Sequence, residues 1–201
     1  VEALQILMKP AEPPKRLIRG GKLLVARYGF GDASGVGFGA SWESAKGVSY
    51  RYGVWGSDNI DKSSNYREMR NLVEMVEQMS KEGELDGVEM FLFTDNAVAE
   101  AAMFKGSSSS RLLFGLILRL KEVEISNSMR IHFIHVAGTR MVQQGSDGLS
   151  RGNLMEGVMQ GANMREFIPI TTRASHLQPN LQTWISSWLL PNDGSTLELL
   201  S

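Results

Sequence analysis

The chain has 201 residues, 42% of them apolar, no cysteine and a formal net charge of −1, with a pI of about 6.4. That suffices for one sizeable core, with roughly 30–50 residues left for tails. Disulfides and thiolate metal sites are excluded, and no run of about 18 apolar residues offers a membrane span. The near-neutral charge argues against a domain that grips nucleic acid strongly on its own, since such domains are usually basic.

Residues 1–21 carry Pro10, Pro13 and Pro14, then Lys15, Arg16 and Arg19, and end at Gly20-Gly21. They read as a linker from an upstream domain, in which Leu4, Ile6 and Leu7 can pack on a neighbour. The chain is therefore expected to be part of a longer polypeptide. Its start has no basic region followed by an apolar block, so a secreted protein is not expected. An intracellular one, cytoplasmic or nuclear, is.

The apolar run Leu23–Val25 leads into Tyr28–Trp42, reading YGFGDASGVGFGASW. A strand is expected here, then a carboxylate, Asp32, where its pairing loosens, a short turn, and a returning antiparallel strand. The glycines let another backbone or a ligand approach closely. Held by two strands yet open on one side, Asp32 suits a Mg²⁺ ligand. Taken alone, Asp-Ala-Ser-Gly reads more readily as an ordinary turn. Gly37–Trp42 and Val48–Trp55 alternate around the polar turn Glu43–Gly47, which extends the pattern to a three-stranded meander. Ser57–Ser64 reads as a loop.

A helix is expected over Tyr66–Lys81, because Met69, Leu72, Val73, Val76 and Met79 form one apolar stripe. Glu74, Glu77 and Glu82 lie off the stripe and are expected to face water, whereas Glu68 projects from its edge towards the sheet. Val88–Phe93 is an apolar run of the kind found in strands buried on both faces, and it ends in Thr94-Asp95-Asn96. Helices over Ala97–Phe104 and Arg111–Val123 flank a Lys105–Ser110 hinge. Arg130–Val136 alternates as a fifth strand, Gly138–Gly145 reads as a loop, and a helix is expected from Asp147 to about Met159. Strand four follows a crossover helix and should pair parallel to strand one. The predicted fold is α/β, with a mixed five-stranded sheet, three antiparallel strands then parallel ones, flanked by helices over residues 22–160. In 161–201, Met164–Ile170 reads as extended. Trp184, Ile185, Trp188 and Leu189 make an amphipathic turn suited to docking on the domain or on a protein partner.

Four acids are expected to meet on this topology. Asp32 ends strand one, Asp95 lies at the carboxyl end of its parallel neighbour, Glu68 reaches over from the first helix, and Asp147 opens the last. Ligands gather at the carboxyl ends of strands in open α/β sheets. Singly, each acid has a plain role: Asn65 to Glu68 fits a capping box, and Asp95 and Asp147 fit N-caps. Jointly they form a cluster whose members repel unless a cation neutralises them, so divalent metal is expected.

The segments GFGDASGVGFGASW, SNYREMRNLV, FLFTDN and HVAGTRMVQQGSDGLSRG resemble the ribonuclease H domain of retroelement reverse transcriptases, over roughly residues 22–155. The last is the most specific. It is similar to the Ala-Asp-x-Leu-Ser-Arg ending of such domains in long-terminal-repeat and tyrosine-recombinase (DIRS-like) retroelements, and most like the latter. The resemblance implies hydrolysis of the RNA strand of RNA–DNA hybrids. It also implies two Mg²⁺ ions (or Mn²⁺), bridged by Asp32, with Glu68 and Asp95 on one and Asp147 on the other. Ser34, Gly35, Asn65, Arg67 and Asn96 flank the acids and would read 2′-hydroxyls in the minor groove. Thr139 and Arg151 complete the nucleic-acid contacts, Arg151 binding a phosphate or capping its own helix.

Two features depart from the cellular ribonuclease H pattern. Thr139 stands where those enzymes have a loop histidine; His135, three residues early, would pack or line the groove, and His132 is expected to be structural. Between Phe104 and Leu112 only Lys105 and Arg111 are cationic, so an attached reverse-transcriptase domain would supply substrate affinity through effective concentration. The alternative is a non-catalytic scaffold of the same fold that binds nucleic acid or a protein partner, which the retention of four acids disfavours. A sugar-kinase-like ATPase would need a second glycine-rich phosphate loop. A transposase or integrase would carry its last acid within the final helix, whereas Asp147 is expected to precede it.

Overall fold

The computed structural model describes residues 25–169. The expected linker over 1–21, the Leu23-Leu24 start of strand one and the amphipathic turn around Trp184 and Trp188 lie outside the described residues.

Five strands, β1 (Val25–Ala33), β2 (Gly37–Ser44), β3 (Gly47–Val54), β4 (Val88–Thr94) and β5 (Arg130–His135), form one sheet in the order β3-β2-β1-β4-β5. β1, β2 and β3 pair antiparallel, while β4 runs parallel to β1 and β5 parallel to β4. This is the mixed five-stranded sheet expected from the sequence. The helices are α1 (Ser57–Ile60), α2 (Ser64–Lys81), α3 (Ala97–Lys105), α4 (Arg111–Ser126), α5 (Gly138–Gln144) and α6 (Ser146–Ser150).

The sheet has a core on each face, and β4 feeds both because all seven of its residues are buried. Met90 and Leu92 join the stripe of α2 and the apolar face of α4 in the first core. Met69, Leu72, Val73, Val76 and Met79 are wholly buried there, each contributing about 1.5–3 kcal/mol relative to exposure. Phe91 and Phe93 point the other way, where Phe30 stacks on Phe93 at 4.6 Å between ring centroids. Met141, Val158, Met164 and Ile168 close this second core, so packed structure continues through residue 168.

Several local expectations are corrected. Ser57–Ile60 is one helical turn rather than loop, and 138–144 is helix α5, fixed by the burial of Met141 in the second core. Gly145, at φ +101°, then breaks the helix. The expected helix from Asp147 to Met159 stops at Ser150, just before Gly152 takes a left-handed φ of +81°. Beyond it the chain makes short 3₁₀ turns at Gly157–Gln160 and Met164–Phe167, the second where extended chain was expected. Glu74 and Glu77 do not face bulk water. They are half-buried in ion pairs with Arg51 (2.8 Å) and Arg119 (2.7 Å), which leaves Glu82 exposed.

Candidate active site

The parallel ladder matches Phe30 of β1 with Phe93 of β4. Two residues beyond each of these, at the carboxyl edge of the sheet, stand Asp32 and Asp95. Glu68 comes to the same place from the second turn of α2. Asp32, Glu68 and Asp95 each offer a carboxylate oxygen, and these oxygens all lie within 4.8 Å of one another.

The capping roles open to these acids belong to other residues. Ser63, not Asn65, caps α2, its hydroxyl accepting from the Tyr66 amide, so Glu68 serves no capping box. Asn96, not Asp95, caps α3. Asp147 lies inside the first turn of α6, not ahead of it, and the N-cap position belongs to Gly145.

Two residues outside the acid set hold it together. Asn71, one turn after Glu68, is wholly buried. Its Nδ2 donates to the carbonyls of Asp32 (2.9 Å) and Gly39 (2.7 Å), and its Oδ1 accepts from Arg51 Nη1 at 3.1 Å. Ser150 is also buried, its hydroxyl 3.0 Å from Asp32 Oδ2 and 2.8 Å from the Asp147 carbonyl. The signal for Asn71 was an amide inside an apolar stripe, where a buried polar group has to find partners. The signal for Ser150 was its place in the Asp-Gly-Leu-Ser-Arg motif.

Asp147 stands apart from the three-acid group. Arg151 holds both its oxygens, Nη2 to Oδ1 at 2.8 Å and Nε to Oδ2 at 3.3 Å. Of the flanking residues, Asn65 Oδ1 accepts from Asn96 Nδ2 at 2.9 Å, Gly35 and Thr139 are exposed, and Arg67 Nη1 donates to the Lys62 carbonyl at 2.7 Å. Ser34 differs from the expectation of a substrate contact. It is buried, donates to the Ser150 carbonyl at 2.8 Å and accepts from the Gly37 amide at 2.9 Å, so its hydroxyl is committed to the β1–β2 turn. His135 lines the rim with Nε2 3.1 Å from the Asp95 carbonyl. His132 is structural, paired with buried Glu89 and stacked on Phe91.

Burial and crowding act on the acids together. Desolvation pushes the Asp32 carboxyl up to about 6, against the Ser150 hydrogen bond and with the nearby Asp95 charge adding to the rise. Desolvation likewise pushes Glu68 up to about 7, opposed by a hydrogen bond from Asn96 and reinforced by the Asp32 and Asp95 charges. An all-carboxylate donor set with one side open fits a hard divalent cation such as Mg²⁺ or Mn²⁺, which takes oxygen ligands and retains water.

No family model and no curated protein matches this chain. Among solved structures, it is similar to ribonuclease H1 from the halophilic archaeon Halobacterium salinarum, with 20% identity over 65% of this chain and 96% of that one and a TM-score of 0.49. It is also similar to the N-terminal ribonuclease H domain of a Mycobacterium tuberculosis protein, with 17% identity, coverage of 64% and 98%, and a TM-score of 0.49. A foamy viral protease-reverse transcriptase in complex with RNA/DNA hybrid is 12% identical, over 71% of this chain and 22% of that one, with a TM-score of 0.44. Among the described residues no helix is long and apolar enough to cross a membrane.

Proposed function

We propose that this chain is a divalent-metal-dependent ribonuclease H that cuts the RNA strand of RNA–DNA hybrids, as one domain of a retroelement reverse transcriptase. The observation that carries this is the convergence of Asp32, Glu68 and Asp95 from β1, α2 and the end of β4, within 4.8 Å of one another. The Asp-Gly-Leu-Ser-Arg motif at 147–151 supports the retroelement context.

When bound, divalent ions supply Lewis acidity towards the attacking water and the leaving 3′ oxygen. Asp32, Glu68 and Asp95 would hold them, with Asp147 as a fourth ligand. Asn71 fixes the backbone of Asp32, and Ser150 fixes the orientation of its carboxyl. Because burial raises the proton affinity of Asp32 and Glu68, cation binding would release protons from these carboxyls. The exposed turn at Gly35 and the Asn65–Asn96 pair flank the acids on a surface suited to the wide minor groove and its 2′-hydroxyls. The near-neutral charge leaves much of the substrate affinity to an attached polymerase domain.

The test is cleavage of an end-labelled hybrid in Mg²⁺ by the full chain and by Asp95→Asn. The wild type should cut the RNA strand, and the variant should not, while keeping its circular dichroism spectrum. If both proteins bind the hybrid and neither cuts it, the chain is the non-catalytic module of the same fold.

A further inference from the structure

Asp147 lies in the first turn of α6 and Arg151 caps its end, four residues on, with the guanidinium fork over both carboxylate oxygens. The backbone beneath them is fixed. Ser34 holds the Ser150 carbonyl, and the Ser150 hydroxyl joins Asp32 to the Asp147 carbonyl at 3.0 and 2.8 Å. The charge of Asp147 is felt at Asp32, and that of Asp32 at Arg151. Asp147 is thus within electrostatic reach of the three-acid group but already neutralised by a cation of the chain's own. Of the two, Arg151 is the more accessible, its side chain 60% exposed against 29% for Asp147. Exposed pairs of this kind are weak and exchange readily, and a guanidinium fork accepts phosphate with the same bidentate geometry as carboxylate.

We propose that Arg151 is an exchangeable counter-ion that couples substrate to metal. In the free protein it occupies Asp147. When a backbone phosphate of the hybrid arrives, the fork transfers to it, and Asp147 becomes the fourth carboxylate for a second divalent ion. Substrate and second ion then each favour the other's binding, as linkage requires. This rests on the nuclease reading of the acids, and the experiment separates the two.

Mn²⁺ alone is titrated calorimetrically into the wild-type chain, Arg151→Gln, Arg151→Gln with Asp147→Asn, and Asp32→Asn. Arg151→Gln should bind a second Mn²⁺ several-fold more tightly than the wild type, and adding Asp147→Asn should erase the gain. In EDTA, Arg151→Gln should bind the hybrid several-fold more weakly. If the Arg151→Gln isotherm superimposes on the wild type while Asp32→Asn loses binding, the counter-ion role is overturned and the metal site stands. If the wild type binds no Mn²⁺ and matches Asp32→Asn, the metal site and the coupling both fall.

Discussion

Asn71 donates one amide hydrogen to the carbonyl of Asp32 and the other to that of Gly39, at 2.9 and 2.7 Å. One side chain therefore ties the helix that carries Glu68 to the strand that carries Asp32. Asn71→Ala leaves two buried carbonyls without that donor, which should cost about 1–3 kcal/mol in urea denaturation. Because the spacing of Glu68 and Asp32 loosens, the thermal stabilisation by Mg²⁺ should shrink as well. A variant that lost stability but kept the whole Mg²⁺ increment would show that Asn71 serves only the fold.

The two raised acids make metal-free stability depend on pH. In the folded chain burial pushes Asp32 up to about 6 and Glu68 up to about 7, from ordinary values of 3.8 and 4.5. Between roughly pH 4 and 7 the folded chain holds protons that the unfolded chain has released, so their contribution is present at low pH and lost as pH rises. In EDTA the wild type should lose stability across this window relative to the Asp32→Asn, Glu68→Gln double variant. Saturating Mg²⁺ should offset the loss, because the ion binds the ionised forms. A difference between the two proteins that grew in favour of the wild type with rising pH would refute the burial of these charges.

Much of this site was legible in the sequence because its parts sit on strongly patterned elements. Val88–Phe93 announces a strand buried on both faces, and the stripe from Met69 to Met79 sets which way α2 faces; together they place Asp95 and Glu68. The expected helix beyond Asp147 failed for a local reason. Left-handed glycines at 152 and 157 cut the segment into short pieces, and a glycine's φ cannot be read from periodicity. The committed hydroxyl of Ser34 depends on a contact with Ser150 across more than a hundred residues of sequence, which no local pattern carries, whereas the Asp147–Arg151 pair has an i,i+4 spacing that sequence offers but whose closure depends on rotamers. Glu74 and Glu77 were misjudged because Arg51 and Arg119 reach them from other elements, Glu74 being held in addition by Arg70 on its own helix at 2.6 Å.

The close approach suggested by the glycines of 29–39 can be tested at Gly39. A methyl group there would clash with Leu149 and lie 2.6 Å from the Ser150 amide, because α6 rests flat on β2. Gly39→Ala should force α6 outward, at a cost of about 1–3 kcal/mol. It should also move Ser150 away from Asp32, so hybrid cleavage should fall by at least tenfold in protein that is still folded. Gly35→Ala is the matched control, since nothing lies within 4 Å of its Cβ position, and it should retain its stability. Equal loss of activity in both variants would mean that the turn, and not the seating of α6, is what matters.

Asn65 separates substrate reading from catalysis. Its side chain accepts from Asn96 Nδ2, while Asn96 also caps α3 through the Ala99 amide and hydrogen-bonds Glu68. Asn65→Ala removes one half-buried hydrogen bond, at about 0.5–1.5 kcal/mol, and leaves the cap and the three acids in place. If the amide reads the hybrid's minor groove, KM should rise several-fold with kcat nearly unchanged, because the contact is made in ground and transition states alike. Asn96→Ala should cost about 1 kcal/mol more through the lost cap and should lower kcat, since Glu68 loses its partner. Should Asn65→Ala lower kcat and spare KM, Asn65 belongs with the residues that position Glu68, and recognition of the hybrid falls to the exposed turn at Gly35.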